Sequence, residues 1–267
     1  ITSIREGRPS RNLTYNQYIG LYVRNTIKID GKWIVGLSGR HDWTNVEVQD
    51  QISGSAIKNS DKAFTGNASL MYLINDHIAP YASYSTSFLP VTDAGVNGSL
   101  LNPEQGKQTE FGMKFQAFRQ RLQGYVAYYD LKRRNVTEFD STLGYSIQTG
   151  EQATKGFEAE VAASLSSRWN VSAAYSYIPS AKTTQSLVQS DIGQRINHVP
   201  KHAGGLFTRY YFNSERSGWN MGAGIRVQGA RTAQRGAYFV DLPKYTLVDA
   251  NIGYEEKSWG VSLSVKN

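Results

Sequence analysis

The chain has no cysteine, which excludes a disulfide framework and any thiolate metal site. It also lacks any run of about 18 apolar residues, so no segment can cross a bilayer as a helix. No phosphate loop, no nucleophile elbow and no dinucleotide fingerprint occurs. The four histidines, His41, His77, His198 and His202, are dispersed and have no carboxylate spacing that would make a metal site. His41 and Asp42 are neighbours, but adjacent residues on a strand point to opposite faces and cannot form a base–carboxylate pair. Basic residues are mixed with acidic ones, so no stripe for nucleic acid forms. Neither enzyme chemistry nor a nucleic-acid partner is expected. The opening Ile1-Thr2-Ser3 has no basic or apolar leader pattern, so any signal peptide is expected outside this stretch.

What is abundant is tyrosine and glycine, 17 and 25 of 267 residues, the composition of a tyrosine-rich sheet with frequent turns. Period-2 alternation predicts twelve strands, at about 14–30, 32–50, 63–75, 78–90, 107–117, 121–138, 145–165, 168–180, 200–213, 218–230, 243–255 and 259–267. Trp33, Val35, Leu37, Gly39, His41 and Trp43 oppose Ile34, Gly36, Ser38, Arg40 and Asp42. Trp219, Met221, Ala223, Ile225 and Val227 likewise oppose Asn220, Gly222, Gly224, Arg226 and Gln228. The strand at 121–138 has tyrosines on both faces and is left unassigned to a face.

Connections alternate in length. Short turns fall near 31, 76, 119, 167, 215 and 257, with longer polar stretches at 51–62, 91–106, 181–198 and 231–242 and a brief one at 139–144. This is the layout of an up-and-down transmembrane barrel, with tight turns on one side and long loops on the other. Trp33, Trp169, Trp219 and Trp259 each open a strand just after a short turn, where an aromatic girdle belongs. Trp43 lies ten residues beyond Trp33 on the same face, roughly 25 Å higher at about 3.3 Å per residue and a tilt of about 40°. The net charge of +7 would favour an anionic surface such as lipopolysaccharide or an acidic partner.

An ordered set of segments carries a resemblance. Pro80-Tyr81-Ala82-Ser83-Tyr84-Ser85-Thr86-Ser87-Phe88 is followed by Leu101-Asn102-Pro103-Glu104-Gln105-Gly106-Lys107-Gln108-Thr109-Glu110-Phe111-Gly112-Met113-Lys114. Lys155-Gly156-Phe157-Glu158-Ala159-Glu160, Val199-Pro200-Lys201-His202 and Tyr245-Thr246-Leu247-Val248-Asp249-Ala250-Asn251-Ile252-Gly253-Tyr254 come next. In this order they resemble the barrel of TonB-dependent siderophore receptors, nearest to the ferrichrome and ferrioxamine (hydroxamate) branch. The resemblance implies an all-β fold, an incomplete barrel of about 12 strands out of an expected 22, across residues 1–267. The plug domain, the first strands and the last strand have no counterpart. It also implies the outer membrane of a Gram-negative bacterium, uptake of a ferric siderophore, and energy from the TonB complex through an N-terminal segment. Iron would be carried by the siderophore, so no cofactor or metal ligand is expected. A self-contained twelve-strand barrel, such as an autotransporter translocator or an outer-membrane lipase, is the alternative.

Charge facing lipid costs up to about 2–4 kcal/mol near the midplane, so Arg24, Arg40, Glu110, Lys114, Glu158, Glu160, Arg226 and Asp249 are expected to face inward. By the resemblance they face a plug, with the glutamates pairing plug arginines; the alternative is a solvated lumen. Phe88, Tyr145, Tyr238 and Phe239 are candidate ligand contacts in the loops, or simple loop packing.

Overall fold

The computed structural model describes residues 11–140, 143–148, 150–187, 189–235 and 238–267. Twelve strands form one antiparallel sheet, each hydrogen-bonded to the next. In chain order they are β1 (Asn12–Ile29), β2 (Trp33–Asp50), β3 (Ala56–Tyr72), β4 (Ile78–Leu89), β5 (Glu104–Ala117) and β6 (Leu122–Arg134), then β9 (Glu151–Ser164), β10 (Trp169–Gln185), β11 (His202–Tyr211), β12 (Gly218–Gln228), β15 (Tyr245–Glu255) and β16 (Gly260–Val265). Two small hairpins stand apart, β7 (Thr137–Asp140) with β8 (Tyr145–Gln148), and β13 (Arg231–Arg235) with β14 (Tyr238–Leu242). Among the described residues β1 and β16 do not pair, so the sheet is an open section of a barrel wall.

Three departures from the expected strands share one cause. Residues 51–62 are not a long loop: β3 begins at Ala56, and the turn is closed by the Asp50 carboxylate, which accepts the Ile52 N–H at 2.8 Å and the Ser53 hydroxyl at 2.8 Å. The stretch at 231–242 is the β13–β14 hairpin, and the expected strand at 145–165 is divided between β8 and β9. In these segments the backbone is paired but no sustained apolar period marks it: Lys58-Asn59-Ser60-Asp61 is polar on both faces, and β8 and β14 are only four and five residues long.

Pairing register assigns every residue a face without appeal to side-chain positions, because directly opposed residues point the same way. One face carries Ile19, Trp43 and Lys62 in one row and Phe111, Tyr128, Phe157, Tyr177 and His202 in another. Its apolar residues are open: Val23 is 71% exposed, Phe64 72% and Leu263 68%. A soluble monomer does not leave such a continuous apolar field bare, because its transfer from water is what stabilises a fold. Outside the charged residues near the long loops, such as Lys62, Asp130 and Lys155, charge is carried by the opposite, more enclosed face. This arrangement is hydrophobic outside and polar inside.

Trp33, Trp169, Trp219 and Trp259 all sit on the apolar face at the short-turn rim, 42–56% exposed. They are joined by tyrosines: Trp33 contacts Tyr72 at 4.5 Å, while Tyr254 lies 5.3 Å from Trp219 and 5.5 Å from Trp259. A second aromatic row crosses the same face nearer the long loops. It runs Tyr128–Phe157 at 5.1 Å, Phe157–Tyr177 at 6.4 Å and Tyr177–His202 at 4.9 Å. The Tyr175 hydroxyl and His202 Nδ1 are 2.7 Å apart and hydrogen-bonded beside it.

The wall is packed by large aromatic side chains lying over glycines on the next strand. Tyr81 opposes Gly112 and Tyr129 opposes Gly156. A methyl group added at Gly112 would stand 2.6 Å from the Tyr81 ring, and one at Gly156 would stand 2.7 Å from the Tyr129 hydroxyl. Both distances are below van der Waals contact, so each glycine is needed for the space it leaves. Gly112→Ala and Gly156→Ala are each expected to destabilise the wall by about 1–3 kcal/mol. Unfolding in detergent micelles measures this, and wild-type stability in both variants would contradict the packing described.

Candidate functional site

Register brings the charged residues of the inner wall onto one face, and one row of them crosses six neighbouring strands. Lys114 of β5 opposes Tyr125 of β6, which opposes Glu160 of β9; Glu160 opposes Ala174 of β10, then Gly205 of β11 and Arg226 of β12 follow in the same row. Glu158 and Asp249 are two residues along from the row on their strands and Glu110 is four, so all three share that face, as do Arg24, through its partner Ser38, and Arg40. Between β6 and β15 this face forms a trough of about 510 Å³ whose lining includes Tyr125, Glu158, Glu160, Arg226 and Tyr245.

The eight charges divide into two groups. Arg226 forks onto Asp249 at 2.9 Å, and Arg40 onto Asp42 at 2.7 Å. The Glu110 carboxylate accepts the Tyr81 hydroxyl at 2.6 Å and the Gln108 amide at 3.0 Å. Lys114 lies over the Tyr81 ring, 5.3 Å from its centroid. These groups find partners within the wall itself. Arg24, Glu158 and Glu160 form no ion pair among the described residues. Glu158 and Glu160 point into the trough from the same strand, two residues apart, and present unneutralised charge to whatever occupies the interior.

On the long-loop side two clamps fix the connections. Gln148 of β8 bonds both backbone groups of Asn102: its carbonyl accepts the Asn102 N–H at 3.1 Å, and its amide donates to the Asn102 carbonyl and, at 3.0 Å, to that of Asn135. The Glu104 carboxylate accepts from Arg133 at 2.6 Å and from the Thr137 N–H at 3.2 Å, so the β4–β5 connection is tied to the β7–β8 hairpin. The second clamp is Arg195. Its guanidinium donates to the carbonyls of Ile178, Pro179, Val199 and Pro200, at 2.8, 3.4, 3.0 and 3.2 Å. The Ile178 and Pro179 carbonyls are available because β10 bulges between Tyr177 and Ser180, whereas Val199 and Pro200 belong to the connection that precedes β11. The His198 N–H then donates to Thr232 of β13 at 3.0 Å, joining that loop to the next hairpin.

The candidate loop aromatics are not brought together. Phe88 lies on β4 opposite Gln105, on the outward face four residues beyond Tyr84, not toward the interior. Tyr145 is half-buried in β8, and Phe239 is 56% exposed on β14. These three make no ring contact with one another among the described residues, and the side chain of Tyr238 lies outside them. Sequence reading missed Tyr81, Gln148 and Arg195. Tyr81 was detectable from its place opposite a glycine-bearing strand, whereas the two clamps act on backbone carbonyls and have no pattern.

A family model described as TonB dependent receptor-like, beta-barrel, matches residues 2–267. The chain belongs to the TonB-dependent receptor β-barrel family. It is 32% identical over 258 residues to a ferrichrome outer membrane transporter/phage receptor of Escherichia coli, covering 96% of this chain and 34% of that protein. It is 31% identical over 244 residues to the ferrioxamine B receptor of Salmonella typhimurium, again covering 34% of the relative. Among solved structures, the siderophore receptor PiuA from Acinetobacter baumannii superposes with a TM-score of 0.75 at 23% identity, over 94% of this chain and 38% of that one. The chain therefore spans about a third of the length of the curated relatives it matches.

Because four carbonyls depend on one guanidinium, Arg195→Ala is expected to release the β10–β11 connection. Hydrogen exchange should accelerate across residues 192–201, with strands β5 and β6 unaffected. Unchanged exchange there would show that the loop is held by other contacts.

Proposed function

We propose that this chain is part of an outer-membrane receptor of a Gram-negative bacterium that takes up a ferric siderophore, of the hydroxamate type, with energy from the TonB complex. The observation that carries the proposal is the division of one continuous sheet into a bare apolar face and a charged face. Hydroxamate preference rests on the relatives, a ferrichrome transporter and ferrioxamine receptors. Iron is cargo, held by the oxygens of the siderophore, so the wall itself needs no metal ligand. The four rim tryptophans and the upper aromatic row are the two interfacial girdles of the membrane.

Glu158 and Glu160 face a plug domain inside the barrel and pair with its basic side chains. Glu110, held by Tyr81 and Gln108, and Arg226, held by Asp249, stiffen the wall that the plug seats against. Binding energy for the siderophore comes from aromatic and polar groups in a preformed pocket on the long-loop side, to which Tyr145, Tyr238 and Phe239 are the candidate contributors here. TonB engages an N-terminal segment of the whole protein. A self-contained barrel would need β1 to pair with β16, and the sheet gives that reading no support.

Charge-assisted bonds at partly buried sites contribute about 1.5–3 kcal/mol each. Glu158→Gln combined with Glu160→Gln in the full-length protein is therefore expected to loosen the plug and lower ferric-siderophore uptake several-fold, with the barrel still folded and surface-exposed. Uptake of a panel of radiolabelled ferric siderophores measures both the effect and the substrate class. Wild-type uptake in the double variant would assign these carboxylates to a merely solvated lumen, and preference for catecholates would overturn the hydroxamate assignment.

A further inference from the structure

We infer that Asn97, at the tip of the β4–β5 connection, is a site of spontaneous covalent modification. Its carboxamide closes on the Gly98 backbone nitrogen, loses ammonia and becomes a mixture of aspartate and isoaspartate. The inference does not depend on what the receptor transports.

Val96-Asn97-Gly98-Ser99 turns the chain in a small hairpin on the long-loop side. Ala94 and Leu100 bridge beneath it, the Gly95 N–H donates to the Ser99 carbonyl at 2.9 Å, and the Gly98 N–H donates to the Gly95 carbonyl at 3.0 Å. Gly98 has a φ of +72°, in the left-handed region that favours glycine. Asn97, Gly98 and Ser99 are all exposed. The Asn97 Oδ1 accepts the Ser99 N–H at 3.1 Å. This Asx turn folds the carboxamide back along the Gly98 peptide, so the carbon to be attacked is held beside the attacking nitrogen.

Two other exposed asparagines close the same kind of turn and show what sets Asn97 apart. Asn75 Oδ1 accepts the His77 N–H at 2.8 Å, and Asn213 Oδ1 accepts the Glu215 N–H at 3.1 Å. Both carboxamides are bound a second time, by the Ile78 N–H at 2.9 Å and to the Ser217 hydroxyl at 3.2 Å. Asp76 and Ser214 follow them, and each side chain crowds the backbone nitrogen that would attack. Gly98 has none, and where a Cβ would stand no atom lies within 4 Å. Asn97-Gly98 is the only Asn-Gly pair in the sequence.

The steps balance with water as the sole co-reactant. The Gly98 nitrogen gives its proton to hydroxide and bonds to Asn97 Cγ, while the Ser99 N–H already on Oδ1 stabilises the oxyanion that develops there. The Cγ–amide bond breaks, ammonia leaves with a proton from water, and a cyclic imide remains. Water opens the imide at Cγ to give aspartate, or at the main-chain carbonyl to give isoaspartate. The turn bond from Gly98 to Gly95 must open first, and loop motions of nanoseconds to microseconds are far faster than the covalent step. Either product puts a carboxylate where a neutral amide stood, and isoaspartate also lengthens the main chain above the Ala94–Leu100 bridge. Receptor molecules thus gain negative charge with age on the long-loop side.

The test is peptide mass mapping of the folded full-length protein after incubation in detergent micelles at mildly alkaline pH, with isoaspartate counted by enzymatic carboxyl methylation. The peptide bearing Asn97 is expected to convert several-fold faster than those bearing Asn75 and Asn213, faster still as hydroxide rises, and to yield isoaspartate as well as aspartate. Gly98→Ala should lower the Asn97 rate to that of Asn213, and Ser214→Gly should raise the Asn213 rate toward that of Asn97. The second variant decides the matter even where alanine at a positive φ distorts the first turn. Equal rates at the three asparagines, or an unmoved Asn213 rate in Ser214→Gly, overturns the role of Gly98. Aspartate without isoaspartate overturns the imide, and an Asn97 rate far below that of the same protein unfolded in urea overturns the role of the turn.

Discussion

A peptide group inside hydrocarbon has no water to bond, so each N–H and C=O of a spanning strand must be satisfied by its neighbours. The twelve-strand ladder does this for every strand between its two edges, β1 and β16, and most of what the chain does follows from it. Once the backbone is committed to the ladder, successive side chains must alternate between two solvents, lipid on one side and water or protein on the other. The exposed Val23, Phe64 and Leu263 are stable there only because their solvent is not water. Tyr81 over Gly112 and Tyr129 over Gly156 are consequences too, since a one-layer wall can pack only against itself.

The inner face uses its charges in two ways. Those satisfied in the wall, such as Arg226 with Asp249 and Glu110 with Tyr81, give it rigidity and little free charge. Glu158 and Glu160 form no ion pair among the described residues, Glu160 meeting only the Tyr125 hydroxyl, and together they concentrate negative charge in the trough. On the outward face, beyond the apolar band, Asp130 pairs with Lys155 and Glu151 with Arg134. Above the wall, Gln148 and Arg195 hold the connections by backbone carbonyls, which positions loops without restricting which side chains those loops display.

The strands of the apolar band were legible because lipid enforces period 2. Trp33 to Trp43, Trp219 to Val227 and Trp259 to Val265 alternate without a break, and their faces follow from counting. Beyond the band that constraint ends. Ala56 to Lys62 pairs as well as any strand, yet reads as a polar loop, and β8 merges in sequence with β9 although Tyr145 and Glu151 belong to different sheets. The upper aromatic row escaped notice for another reason. Tyr125, Tyr128 and Tyr129 put tyrosine on both faces of β6, and only the pairing of Tyr128 with Phe157 and Tyr177 identifies which one looks outward. Phe88 shows the same limit: its type suggests a ligand contact, while its register, opposite Gln105, turns it away from the interior.

The claim on which the account depends is that adjacent residues of one strand lie in different solvents. Cysteine substitutions made one at a time at Met113, Lys114, Tyr125, Val126, Ala159, Glu160, Ala223 and Gly224, each spin-labelled in the full-length protein in lipid bilayers, test it through collision with oxygen and with a water-soluble nickel chelate. Labels at 113, 126, 159 and 223 should be oxygen-accessible and shielded from nickel. Those at 114, 125, 160 and 224 should show low oxygen accessibility, alternating residue by residue. Equal accessibility to nickel on both faces, or no alternation within a strand, would contradict the account.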